Sequence, residues 1–254
     1  VKRKEEGGKR KGKVRVALTQ SRGRLEATQE MLEQRGYEVI RQPLIETQPL
    51  LDEKTKLEAQ KLLKCSWILF TSRTAAETWQ KLDLSFTPHP VPRTPHPLIG
   101  AVGKKTAEAL QQTGATVEII ADQQNAENFA EMFLSHPKAA SPVGLPRGDK
   151  ALDTVQTKLE SAGFEVRPVV IYRTILCPHR FQNIDVPRID VIVFSSPSAV
   201  EAAHAIGDAK LVAIGATTFK AIEARGWQAV QSSSPNAESI VEAVERVTLE
   251  ASQA

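Results

Sequence analysis

The residues in this sequence best suited to chemistry are hydroxyls, glycines and one phenol. Four short stretches place Ser, Thr or Gly after an apolar run and before a helical pattern. They are Thr71-Ser72, Gly103 to Thr106, Ser195-Ser196 with Ser198, and Gly215 with Thr217 and Thr218. A turn that leaves a strand and opens a helix presents unpaired backbone N–H groups and the positive end of the helix dipole, where an anion can sit. The same residues also serve as plain helix caps, and Ser196 followed by Pro197 is a standard N-cap and N1 pair. Gly215 is expected to need a conformation or a close approach that a β-branched residue cannot reach. The phenol, Tyr172, lies in the extended segment 164–174. A phenol is protonated at neutral pH, so it can donate a hydrogen bond or a proton beside carboxylates without repelling them. A strand tyrosine packing its ring at a domain junction is the other reading.

Other chemistries lack their signatures. His89, His96, His136, His179 and His204 show no HxxxH or HExxH spacing, so no metal site is expected. Cys65 and Cys177 are far apart and show no CxxC pattern, which predicts free thiols in a reducing compartment. Cys65 borders an apolar strand and reads as a core thiol. Neither GxGxxG nor GxxxxGK[ST] occurs, so no nucleotide and no other cofactor is implied.

These residues must be held by something, and the chain alternates strand and helix patterns throughout. Apolar strands are predicted at 14–19, 67–71, 98–102, 115–120, 143–146, 190–195, 210–215 and 227–231, with longer extended segments at 37–47 and 164–174. An amphipathic helix is predicted over 24–35, stopping at Gly36. Continuous apolar strands that alternate with helices argue for an α/β fold with parallel sheets flanked by helices. No apolar run is long enough to span a bilayer and no secretory signal is evident, so a cytoplasmic protein is expected.

Charge narrows the partners. Residues 1–13 carry seven Lys/Arg and two Glu, which leaves 26 basic against 28 acidic residues in the rest, a net −2. The body is thus no general polyanion binder, and no nucleic acid or membrane partner is implied. The tail reads as a disordered basic extension.

The two halves repeat each other. Gly36-Tyr37-Glu38-Val39 returns as Gly163-Phe164-Glu165-Val166, and FTSRTA (70–75) returns as FSSPSA (194–199). Gly103-Lys104-Lys105-Thr106 returns as Gly215-Ala216-Thr217-Thr218, Gly114 as Gly226, and Asn125-Ala126-Glu127 as Asn236-Ala237-Glu238. The Pro-rich stretch 84–97 interrupts the first half only. Two similar domains predict a cleft between them, a common place for a ligand. In this repeat Tyr172 corresponds to Ile45, so the phenol belongs to one copy alone.

FTSRTA, GKKTAEAL, LPRGD, GFEV with VVIYRT, VFSSPSAVEA, AIGATT with its GW, and PNAESIVEAV follow one another in an order and spacing that resembles the uroporphyrinogen-III synthase family, over roughly residues 14–247. The resemblance implies two α/β domains joined by a pair of strands, with the first βα unit belonging to the C-terminal half. The implied division is 14–42 with 176–254, 48–170, and linker strands 43–47 and 171–175, behind the tail 1–13. Local pattern alone suggests two consecutive halves. Where the family's first strand commonly leads into Thr-Arg-Pro, this chain has Thr19-Gln20-Ser21, followed by Arg22.

The family implies an enzyme, a cyclising hydro-lyase that needs no cofactor. Its substrate is hydroxymethylbilane, a linear tetrapyrrole with eight carboxylates. Loss of the terminal hydroxyl gives an azafulvene, and the ring closes through a spirocyclic pyrrolenine with inversion of the last pyrrole, ring D. The product, uroporphyrinogen III, leads to heme, siroheme and chlorophyll. The resemblance makes Tyr172 the proton donor for hydroxyl departure. It makes Thr71, Ser72, Gly103, Thr106, Arg147, Ser195, Ser196, Ser198, Gly215, Thr217 and Thr218 substrate-binding. The protein is expected to be a monomer in transient contact with hydroxymethylbilane synthase. Two rival functions are a non-enzymatic two-domain tetrapyrrole or anion binder and a nucleotide-sugar enzyme. A binder would leave the spontaneous isomer ratio unchanged. The missing glycine fingerprint and the short halves count against the nucleotide-sugar enzyme.

Overall fold

The computed structural model describes residues 13–20, 25–84, 86, 96–121, 126–177 and 189–253. Arg22, His89, His179, Asn125 and nearly all of the basic tail and the Pro-rich stretch lie outside the described residues. The chain divides into two compact units, residues 1–46 with 175–254, and residues 47–174.

The first unit holds strands β1 (Arg15–Leu18), β2 (Glu38–Arg41), β9 (Val191–Phe194), β10 (Lys210–Ala213) and β11 (Ala229–Gln231). Their order across the sheet is β11-β10-β9-β1-β2, and every pair is parallel. Each strand of a parallel sheet is covered on both faces, so neighbouring residues go to opposite cores. Ala17, Ile192, Phe194, Leu211 and Ala213 pack in one apolar cluster. Val16, Leu18, Val191, Val193 and Val212 pack in the other. The first cluster is closed by α7 (Pro197–Ala202) and α8 (Ala216–Glu223), the second by α1 (Glu26–Gln34) and α9 (Ala237–Gln253). A fully buried Val, Leu, Ile or Phe contributes about 1.5–3 kcal/mol, and this two-sided burial selects apolar residues along the whole strand.

The second unit repeats the design in a six-stranded sheet, β3-β8-β7-β4-β5-β6. Its strands are β3 (Ile45–Pro49), β4 (Trp67–Phe70), β5 (Leu98–Val102), β6 (Val117–Ala121), β7 (Val143–Gly148) and β8 (Val166–Leu176). From β8 to β6 the pairing is parallel. Ile68 and Phe70 face one cluster with α2 (Glu53–Lys61), α3 (Arg73–Lys81) and α4 (Lys104–Gln111). Trp67 and Leu69 face the other, with α5 (Ala126–Leu134) and α6 (Thr154–Ser161).

The repeat is visible in the backbone. Gly36 and Gly163 end α1 and α6 at φ +88° and +86°, the left-handed C-terminal turn that glycine adopts without penalty. The extended segment 37–47 is two strands, since β2 ends at Arg41 and β3 begins at Ile45. Among the described residues, no helix is long and apolar enough to cross a membrane.

Candidate functional site

Four helices begin where the sequence places them, at the carboxyl ends of parallel strands. They fall into two kinds. Ser72 caps α3, its Oγ accepting the Ala75 N–H at 3.1 Å. Ser196 caps α7 in the same way, accepting the Ala199 N–H at 3.2 Å with Pro197 next. These two serines are therefore caps, each satisfying one of the orphan donors of its helix. Thr71 precedes the first cap and Ser198 follows the second, both half-buried. Gly103 and Gly215 open α4 and α8 with no side-chain cap; in α4 the Thr106 N–H turns back to the Gly103 carbonyl at 3.1 Å, and the other first-turn N–H groups of the two helices stay open.

The two glycines are equivalent in the repeat but differ in conformation. Gly103 is buried at φ +79°, a region that disfavours any side chain. Gly215 is extended at φ −176°, and a Cβ there would meet nothing within 4 Å. The expectation that Gly215 needs glycine's freedom is thus corrected, because the fold would accept a β-branched residue. Ala216 and Thr217 after it are exposed. Thr106 and Thr218 are only 4% and 2% exposed, so their hydroxyls are buried inside the helix turns. Ser195 Oγ is buried and finds no hydrogen-bond partner, an uncommon state that leaves one donor idle beside the Ser196 cap.

Tyr172 stands on β8 within the second unit. Its phenol oxygen lies 3.2 Å from Ser72 Oγ. The pairing of β7 with β8 shifts register there, since Arg147 meets Val170 but Gly148 meets Tyr172. The extra residue, Ile171, is a β-bulge that re-aims the strand. Strict alternation would send Ile171 and Tyr172 to opposite faces, yet both pack on the cluster beneath α3. The strand is then pinned, as Asp149 N–H donates to the Tyr172 carbonyl at 3.1 Å and Thr174 N–H donates to Asp149 Oδ1 at 2.9 Å. Gly148 and Asp149 had no role from sequence. Gly148 stands in the LPRGD motif beside Arg147, which is the only signal that pointed to it.

Arg147 is 8% exposed, and its guanidinium is engaged inside the unit. It donates to Gln156 Oε1 at 2.9 Å and to the Ala151 carbonyl, and it pairs with Asp153 Oδ1 at 2.7 Å. This geometry ties the 148–153 turn to α6. Arg147→Lys loses the planar fork, and the expected result is a loss of about 1–3 kcal/mol in stability. Denaturant unfolding checks it. A variant of normal stability with impaired ligand binding would instead make Arg147 a direct ligand contact.

Cys65 and Cys177 are buried and unbridged. Burial pushes the Cys65 thiol up from its ordinary pKa, which keeps it protonated and unreactive at neutral pH. Among the described residues, no group of three His, Cys, Asp or Glu is placed to hold a metal ion. A groove of about 380 Å³ between α2 and β8 is lined by Leu50, Lys54, Val170 and Arg173 among others, and by none of the candidate residues.

Residues 26–242 match the family model described as uroporphyrinogen-III synthase HemD. A curated protein of Methanothermobacter thermautotrophicus, provisionally named a uroporphyrinogen-III synthase, is 23% identical over 233 residues, 85% of this chain and 91% of its own length. A mutant uroporphyrinogen III synthase from Thermus thermophilus superposes with a TM-score of 0.61 at 19% identity, covering 93% of this chain and 99% of that one. The uroporphyrinogen-III synthetase of Helicobacter pylori gives 0.62 at 16% identity, covering 92% and 99%. At these identities the two structures speak for the fold.

Proposed function

Given that this chain belongs to the uroporphyrinogen-III synthase family, cyclising lyases of tetrapyrrole biosynthesis, we propose that Tyr172 protonates the departing hydroxyl of hydroxymethylbilane while open helix N-termini hold its carboxylates. The observation that carries this reading is the phenol of Tyr172 resting on the cap of α3. Ser72 Oγ already accepts the Ala75 N–H, so its own hydrogen is available to the phenol oxygen. With Ser72 donating, the phenol hydrogen is left for the substrate, and the phenolate that forms on proton transfer keeps a hydrogen bond.

The step balances simply. The terminal C–O bond breaks with its electron pair on oxygen, and the phenol proton completes a water. The cation left on the bilane is an azafulvene in protonated form. Attack by the far pyrrole and the spirocyclic rearrangement close the ring, and the phenolate regains its proton as the last pyrrole becomes aromatic again. Free bilane closes without inversion, so the protein's task is mainly to hold the substrate folded and to assist departure.

A body of net charge −2 can hold an octa-anion through backbone dipoles. The dipole of each exposed helix N-terminus adds about 0.3–1 kcal/mol for one carboxylate, beside the charge-assisted hydrogen bonds, about 1.5–3 kcal/mol each, that its N–H groups donate. The uncapped turns at Gly103 and Gly215 are the main contributors in this reading, joined by Thr71 and Ser198. The protein is read as a cytoplasmic monomer, and a transient contact with hydroxymethylbilane synthase would shorten the life of the unstable bilane in solution.

The test uses bilane generated in situ. Pure protein stripped with a chelator is expected to consume it as fast as untreated protein, well above the spontaneous rate. A rate that falls to the spontaneous level on chelation would overturn a mechanism built on Tyr172 and backbone donors.

A further inference from the structure

We propose that Gly148 is a positioning residue, whose missing side chain makes the seat on which the Tyr172 phenol lies against Ser72. This rests on the reading of Tyr172 as proton donor. A Cβ built on Gly148 would lie 2.5 Å from both Cε2 and Cζ of Tyr172 and 2.8 Å from its phenol oxygen. Such contacts do not occur in folded proteins, so one partner would have to move. The backbone of β8 is tied on both sides of the ring, before it by the Leu50 N–H donating to the Ile171 carbonyl at 2.9 Å, and after it by Asp149, through the Tyr172 carbonyl and the Thr174 N–H. Gly148 itself is a buried member of β7 paired with Tyr172 across the bulge. The ring therefore yields first, by about an ångström, which is enough to part it from Ser72 at 3.2 Å.

Conformation is not the reason for glycine here. Gly148 is absent from the positive-φ glycines of the chain, so alanine meets no backbone strain, only the ring. The seat and the bulge act together. The bulge turns Tyr172 toward the α3 side of the sheet, and the bare Cα lets the ring lie flat enough for its hydroxyl to reach the α3 cap. A displacement of one ångström at a proton donor is sufficient to cost up to about a hundredfold in rate.

The experiment is a double-mutant cycle read in kcat and KM with bilane as substrate. Gly148→Ala is expected to lower kcat by about tenfold or more with KM little changed, and to add nothing in a Tyr172→Phe background. An equal further loss in the double variant would show that Gly148 acts independently of the phenol, and would overturn the seat while Tyr172 kept its role. A wild-type rate for Tyr172→Phe alone is a different outcome, and it removes both readings. Folding is followed in parallel. Any destabilisation by Gly148→Ala is expected to vanish in Tyr172→Ala, where no ring remains to clash. Destabilisation that persists there would mean that the clash is with something else, and the seat would fall even if no activity could be measured.

Discussion

Tyr172→Phe is expected to fold normally and to slow bilane turnover by about tenfold to a hundredfold, while the product remains the type III isomer. The ring keeps its place on Gly148 and against the cluster beneath α3, so stability changes by only about 1 kcal/mol, the usual value of one hydrogen bond. Loss of a general acid costs about 10²–10⁴-fold. The low end or below applies here because an electron-rich pyrrole expels the hydroxyl readily and a water can replace the phenol. Ser72 survives in this variant as the cap of α3, its Oγ still accepting the Ala75 N–H. Isomer identity separates departure from folding of the substrate. If the phenol assists departure alone, a slow enzyme still inverts ring D. A variant with wild-type turnover and normal binding would return Tyr172 to a packing role.

Gly215→Val is expected to leave the unfolding midpoint unchanged and to weaken substrate binding by about tenfold to a hundredfold. The position is extended, which suits a β-branched residue, and the new side chain enters open space. That space is also the approach to the uncapped first turn of α8. A carboxylate excluded from those N–H groups loses a charge-assisted hydrogen bond worth about 1.5–3 kcal/mol. Thr218→Ala is expected to be mild in binding, since its hydroxyl is buried and the backbone donors remain. Titration of folded variants checks both. If Thr218→Ala proved the more damaging, the hydroxyl would be the main contact and the backbone argument would fail.

The strands were legible because burial on two faces leaves a plain mark. Trp67 to Phe70 is apolar throughout, and each residue is fully buried. The helix starts were legible for the same local reason, in the Ser-capped turns at Ser72 and Ser196. What local pattern could not supply is anything set by distant pairing. That β1 lies beside β9, with Val16 opposite Val191, depends on residues 175 apart, and patterning within either segment does not encode it. The bulge at Ile171 is of this kind too, because a register shift leaves no mark in an apolar run. Gly103 and Gly215 show a second limit, since the same residue at equivalent places in the repeat takes φ +79° and −176°. Arg147 shows a third. Its type suggested a carboxylate of the substrate, and no local pattern told that Asp153, six residues on, also pairs with it from within the chain.

The isomer composition of product formed from fresh hydroxymethylbilane is the most direct measurement. Pure protein is expected to give the type III isomer as the main product, in proportion to enzyme added. Type I alone, at the ratio of the spontaneous reaction, would contradict the enzymatic assignment and leave a protein that binds the bilane without folding it for inversion.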